Sequence, residues 1–143
     1  MMKVFISYSE RDVAIARRIA VALKGEGLQV WLPESEILPG DNRAERVSEA
    51  LSECDAMVAV LTPDTLEGSN VYYEMGYALS HLSYRRRLFP VLVGPEETPP
   101  PEAMPWILER FRILRLKSPE ETKDVAREIA GALVAVTLNP RPS

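Results

Sequence analysis

At 143 residues, with 46% hydrophobic and 27% charged residues, the chain has enough apolar material for one core and too little for two. A formal net charge of −4, with no basic run longer than Arg85-Arg86-Arg87, excludes the electrostatic footprint of a nucleic-acid binder. One cysteine, Cys54, excludes an internal disulfide, and a single histidine, His81, leaves too few soft ligands for a zinc site. The opening MMKVFISYS turns polar too soon for a signal peptide, and no apolar run nears the ~20 residues that span a bilayer. A soluble, cytoplasmic protein without membrane contact is expected.

In chain order, KVFISY from Lys3 is a nearly continuous apolar run, the mark of a strand covered on both faces. Ser9 followed by Asp12 predicts a capping box. The helix it opens carries Val13, Ala16, Ile19, Ala20 and Leu23 on one face and closes at Gly25 and Gly27. LQVWL from Leu28 predicts a second strand. The PESEILPGD that follows is long for a strand-to-helix connection, which points to a functional loop. A second helix starts near Asp41 and offers Ala44, Val47 and Leu51 to the core, and AMVAVL from Ala56 is again a buried type of strand. In SNVYYEMGYALSHL, Ser69 to Leu82, the stripe is Val71, Met75, Ala78, Leu79 and Leu82. Glu74 is expected just outside it, on a flank with Asn70, Tyr77 and His81. LFPVLV from Leu88 is the fourth strand. GPEETPPPEAMPW, Gly94 to Trp106, is too rich in proline for more than a turn of helix. FRILRL from Phe111 alternates as an edge strand does. Last, Ser118 as N-cap, Pro119 at the first helical position and Glu121 three after the cap open a helix that buries Val125, Ile129, Leu133 and Val136.

Strands alternating with helices predict an α/β protein with a parallel sheet covered on both faces. The expected architecture is a single domain over 1–143 with a flavodoxin-like three-layer fold and strand order 2-1-3-4-5. Its crevice opens at the carboxyl ends of the central strands. Tyr8 and Ser9 leave the first strand there, Trp31 ends the second, and Asn70 and Glu74 belong to the first turns of the helix after the third. Without Gly-x-Gly-x-x-Gly or a P-loop after the first strand, hydride and phosphoryl transfer are disfavoured.

The pieces together resemble the Toll/interleukin-1 receptor (TIR) family. KVFISYSERD is similar to its first signature, GLQVWLPESEILPGD to its second, with a loop ending in Pro-Gly, and SNVYYEMGYAL falls where its catalytic helix belongs. The resemblance covers nearly the whole chain. It implies cleavage of nicotinamide from NAD, with Glu74 as the catalytic residue, and places the chain with a bacterial-type branch acting in signalling or immunity. It also implies homotypic self-association, in which the Pro-Gly loop closes a neighbour's cleft; a trigger is expected to arrive through a partner protein, a separate sensor or effector, or through a small molecule. Two positions depart from the family pattern: Asn70 stands where its enzymes carry tryptophan, and Pro33 where many relatives carry aspartate.

The chemistry needs little. The nicotinamide leaves neutral, so no general acid, metal or further cofactor is called for, and one carboxylate can stabilise the ribosyl cation. Trp31 and Tyr8 are candidates to flank the nicotinamide or adenine, and Ser9 and Asn70 to orient ribose and diphosphate. Alternatives are an interaction module without turnover, an N-deoxyribosyltransferase-like nucleoside enzyme, and a phosphoacceptor receiver. The last is disfavoured because its acidic pair is reduced to Glu10 and Asp12.

Overall fold

The structure, a computed structural model, describes residues 2–62, 71–80, 87–95 and 113–138. Its strands are β1 (Lys3–Ser7), β2 (Gln29–Trp31), β3 (Ala56–Leu61), β4 (Leu88–Val93) and β5 (Leu114–Leu116). They form one parallel sheet in the order β2-β1-β3-β4-β5, as expected. Val4 pairs with both Val30 and Ala56, Val58 with Phe89, and Val91 with Leu114. Within FRILRL, Leu114–Leu116 form this edge strand.

Successive strand residues point to opposite faces, so the central strands feed two cores. Val4 and Ile6 of β1, with Ala56, Val58 and Val60 of β3, meet α1 (Val13–Gly25) and the C-terminal helix. Phe5, Met57, Ala59 and Leu61 meet α3 (Arg43–Glu53) and α4 (Val71–Leu79) on the other side. The C-terminal helix, α5 (Thr122–Leu138), packs Val125, Ile129 and Leu133 beside Ile19 and Leu23 of α1.

The helix punctuation is partly the expected one. α1 ends in a Schellman turn: the Leu28 N–H reaches the Leu23 carbonyl at 3.2 Å, and the Gly27 between them has φ 88°, a value that disfavours any side chain. Its start differs from the capping-box expectation. Ser9 makes no side-chain cap bond, and Asp12 instead accepts from the Thr62 hydroxyl at 2.8 Å, joining the turn after β1 to the end of β3. α3 is capped by Asn42, one residue after the expected start, whose side chain accepts from the Glu45 N–H at 3.1 Å. Ser118 likewise makes no cap bond, although Glu121 reaches back to the Lys117 N–H at 3.2 Å. The loop after β2 holds one unexpected turn, α2 (Pro33–Glu36), with proline at its start. Cys54 is buried in the core, and that burial pushes its thiol up to about 12, which leaves it an inert packing group.

Candidate active site

The stripe of α4 consists of Val71, Met75 and Ala78, all buried against β3 and its neighbours. Glu74 stands three residues after Val71 and four before Ala78, which puts it on that same stripe rather than outside it as expected. Only 3% of its surface is exposed. A carboxylate taken out of water needs a donor. The Ser7 hydroxyl, at the end of β1, donates to Glu74 Oε1 at 2.6 Å, a short charge-assisted bond between two buried groups.

Beside this bond lies a pocket of about 300 Å³ between α3 and α4. Arg43, Ala44, Val47, Ser48 and Leu51 form one wall, and Tyr73, Glu74 and Tyr77 the other. Burial pushes the Glu74 carboxyl above its ordinary 4.5, while the Ser7 bond and the positive charge of Arg43 pull the other way. A concave, largely apolar pocket with one desolvated acid fits a ligand that brings or develops positive charge.

The expected site residues divide. Tyr8 is half-buried, and its hydroxyl accepts the Glu34 N–H of α2 at 3.3 Å. Burial raises its pKa, opposed by Arg43 and Arg17 and reinforced by Glu74 and Glu10, so its hydroxyl shares the site's electrostatic field without lining the pocket. Ser9 is buried beside it, its carbonyl accepting the Asp12 N–H at 2.7 Å. Trp31 is placed in the core. It is 4% exposed and stacks on Phe5 with ring centroids 5.0 Å apart, so contact with a nicotinamide or adenine ring would require that stack to open. Asn70 lies outside the described residues, as do Ser69 and His81.

Two site residues escaped sequence reasoning. Ser7 carried a signal, being the polar break in an apolar strand, whereas Arg43 at the start of α3 carried none beyond its place after the Pro-Gly loop. Among the described residues, no group of three His, Cys, Asp or Glu could hold a metal ion, and no helix is long and apolar enough to cross a membrane.

A family model for the TIR domain matches residues 4–130. The chain belongs to the TIR domain family. The probable 2′ cyclic ADP-D-ribose synthase BdTIR of Brachypodium distachyon is 26% identical over 160 residues, covering 96% of this TIR domain and 68% of the plant protein. The 2′ cyclic ADP-D-ribose synthase BtTIR of Bacteroides thetaiotaomicron is 26% identical over 89 residues, or 61% of this chain and 31% of the bacterial one. This TIR domain thus aligns with under a third of the bacterial relative. Among solved structures, the TIR domain of the Toll-related receptor TRR-2 from Hydra magnipapillata superposes with a TM-score of 0.65 at 20% identity. That match covers 88% of this chain and 96% of that domain, and it shows the shared fold.

Proposed function

We propose that this TIR domain cleaves the nicotinamide–ribose bond of NAD, giving nicotinamide and either ADP-ribose or a cyclic ADP-ribose. One observation carries the reading: Glu74, the one buried carboxylate among the described residues, is fixed on one oxygen by Ser7 and lines a pocket that is otherwise mostly apolar. In the reaction the C1–N bond breaks with its electron pair leaving on nicotinamide, which departs neutral. The ribosyl carbon is left as an oxocarbenium ion, and the carboxylate meets that charge where water is scarce and the interaction is strong. A water oxygen that attacks this carbon and sheds a proton gives ADP-ribose. A hydroxyl of the adenosine ribose attacking in its place gives a cyclic product, and the names of the plant and bacterial relatives support that variant.

Self-association of TIR domains fits the same reading, with a neighbour's Pro-Gly loop completing the cleft. Gly40 of that loop has φ 92°, a backbone shape that favours glycine. Chromatography of NAD incubated with dilute and with artificially clustered protein provides the test. Nicotinamide release from the clustered sample, reduced about 10²-fold or more in Glu74→Ala, is the expected result. No release from either sample would instead favour an assembly module without turnover.

A further inference from the structure

We infer that Arg43 is the anion-binding end of this pocket and takes the phosphate on the 5′ carbon of the ribose whose C1 faces Glu74. The inference rests on the NAD-cleaving reading and adds to it a second recognition point, with the chemical group it binds. Of the described residues that line the pocket only Glu74 and Arg43 carry charge, and they come from opposite walls, α4 and α3. Arg43 acts on Glu74 through its field, and it is also the strongest of the charges acting on Tyr8. Among the described residues no ion pair within 4.0 Å joins it to Glu74 or to any other acid.

The neighbouring arginines behave differently. Arg17 is paired with Glu34, and Arg46 is held by Asp41, Glu49 and the Glu36 carbonyl. Arg43 is exposed on the first turn of α3 and lines the pocket on the wall opposite Glu74.

A cation in that place would oppose a ribosyl cation forming at Glu74 unless the substrate itself neutralised it. NAD does so. The ribose that carries the pyridinium on C1 carries the diphosphate on C5, so one sugar presents a positive and a negative end a few bonds apart, matching an acid on one wall and a guanidinium on the other. Guanidinium also suits phosphate, because its planar fork can donate two hydrogen bonds at once. Size agrees: about 300 Å³ is at the lower end for small-ligand sites, enough for the nicotinamide ribose phosphate half, with the adenosine half lying outside.

The test compares NAD, nicotinamide mononucleotide and nicotinamide riboside as substrates of clustered wild type and Arg43→Gln. The expected result is that wild type prefers the two phosphorylated substrates. Arg43→Gln should raise their KM by roughly 10-fold or more with a smaller change in kcat, and should not weaken turnover of the phosphate-free riboside. An unchanged KM for NAD, or an equal loss with the riboside, overturns the inference. A calorimetric titration of ADP-ribose decides Arg43 independently of turnover. Weaker binding to Arg43→Gln than to wild type supports the subsite even if no substrate is cleaved, which would overturn only the NAD-cleaving reading; equal binding to both overturns the subsite.

Discussion

On the side of α1 and α5, the sheet presents Val4, Ile6, Val58, Val60 and Leu116 to Ile19, Leu23, Ile129 and Leu133, all buried and all aliphatic. On the side of α3 and α4 it presents Phe5, Met57, Ala59 and Leu61, and then, two residues beyond Phe5 on the same face of β1, Ser7. The helix opposite repeats the pattern, with Val71, Met75 and Ala78 around Glu74. One face is thus filled by aliphatic side chains, whereas the other admits a hydroxyl and a carboxylate at the end where the strands stop and a pocket begins. The same alternation builds both. What makes the second a candidate site is two polar residues set where apolar ones would pack, at a cost in stability that the first face does not carry.

Substitutions on each face can break or sharpen that contrast. The largest expected effect on folding is on the aliphatic face. Ile19→Ala should remove about 3 kcal/mol of stability in urea unfolding while nicotinamide release per folded molecule stays at the wild-type level. A loss of turnover in the folded fraction would show that the two faces are not separable. Next comes Ser7→Ala, which leaves the fully buried carboxylate without its donor and should lower kcat about 10-fold. Its pH profile gives the sharper readout. The Ser7 bond favours the charged form of Glu74, so removing it raises an already elevated pKa, and the acid limb of activity should move to higher pH. An acid limb that stays in place would mean that Ser7 only packs. Smallest is Asn42→Ala, which removes the α3 cap and should cost about 1 kcal/mol of stability. A markedly larger loss would mean that α3 is held mainly by its cap and not by Val47 and Leu51 in the core.

The sheet order and the choice of Glu74 as a candidate came from different signals in the sequence. Apolar runs separated by helical spacing leave few right-handed ways to wind a parallel sheet, and the structure follows that order. Glu74 stood out through its helix and the family resemblance, but its burial did not, because an acid at stripe spacing looks like a flank residue until a donor is known. That donor, Ser7, is 67 positions away in sequence, and no local pattern connects the two. Trp31 shows the converse limit. A tryptophan at the end of a strand suits a ligand or a core equally, and only the Phe5 ring across the β1–β2 pairing decides that it packs inward. The turn at Pro33–Glu36 was missed because four residues are too few to show helical periodicity, although proline followed by acids is a helix-start signal.

The central claim is that Glu74 is buried for chemistry and not for folding. Its pKa in the folded protein is raised above 4.5, so the stability it contributes is fully present below that value and is lost as pH rises through the raised one. Glu74→Gln keeps the shape and drops the charge. Paired measurements of melting temperature and nicotinamide release from clustered protein at neutral pH should find the variant at least as stable as wild type and about 10²-fold or more slower. A variant that is destabilised yet turns over NAD at the wild-type rate would contradict the account.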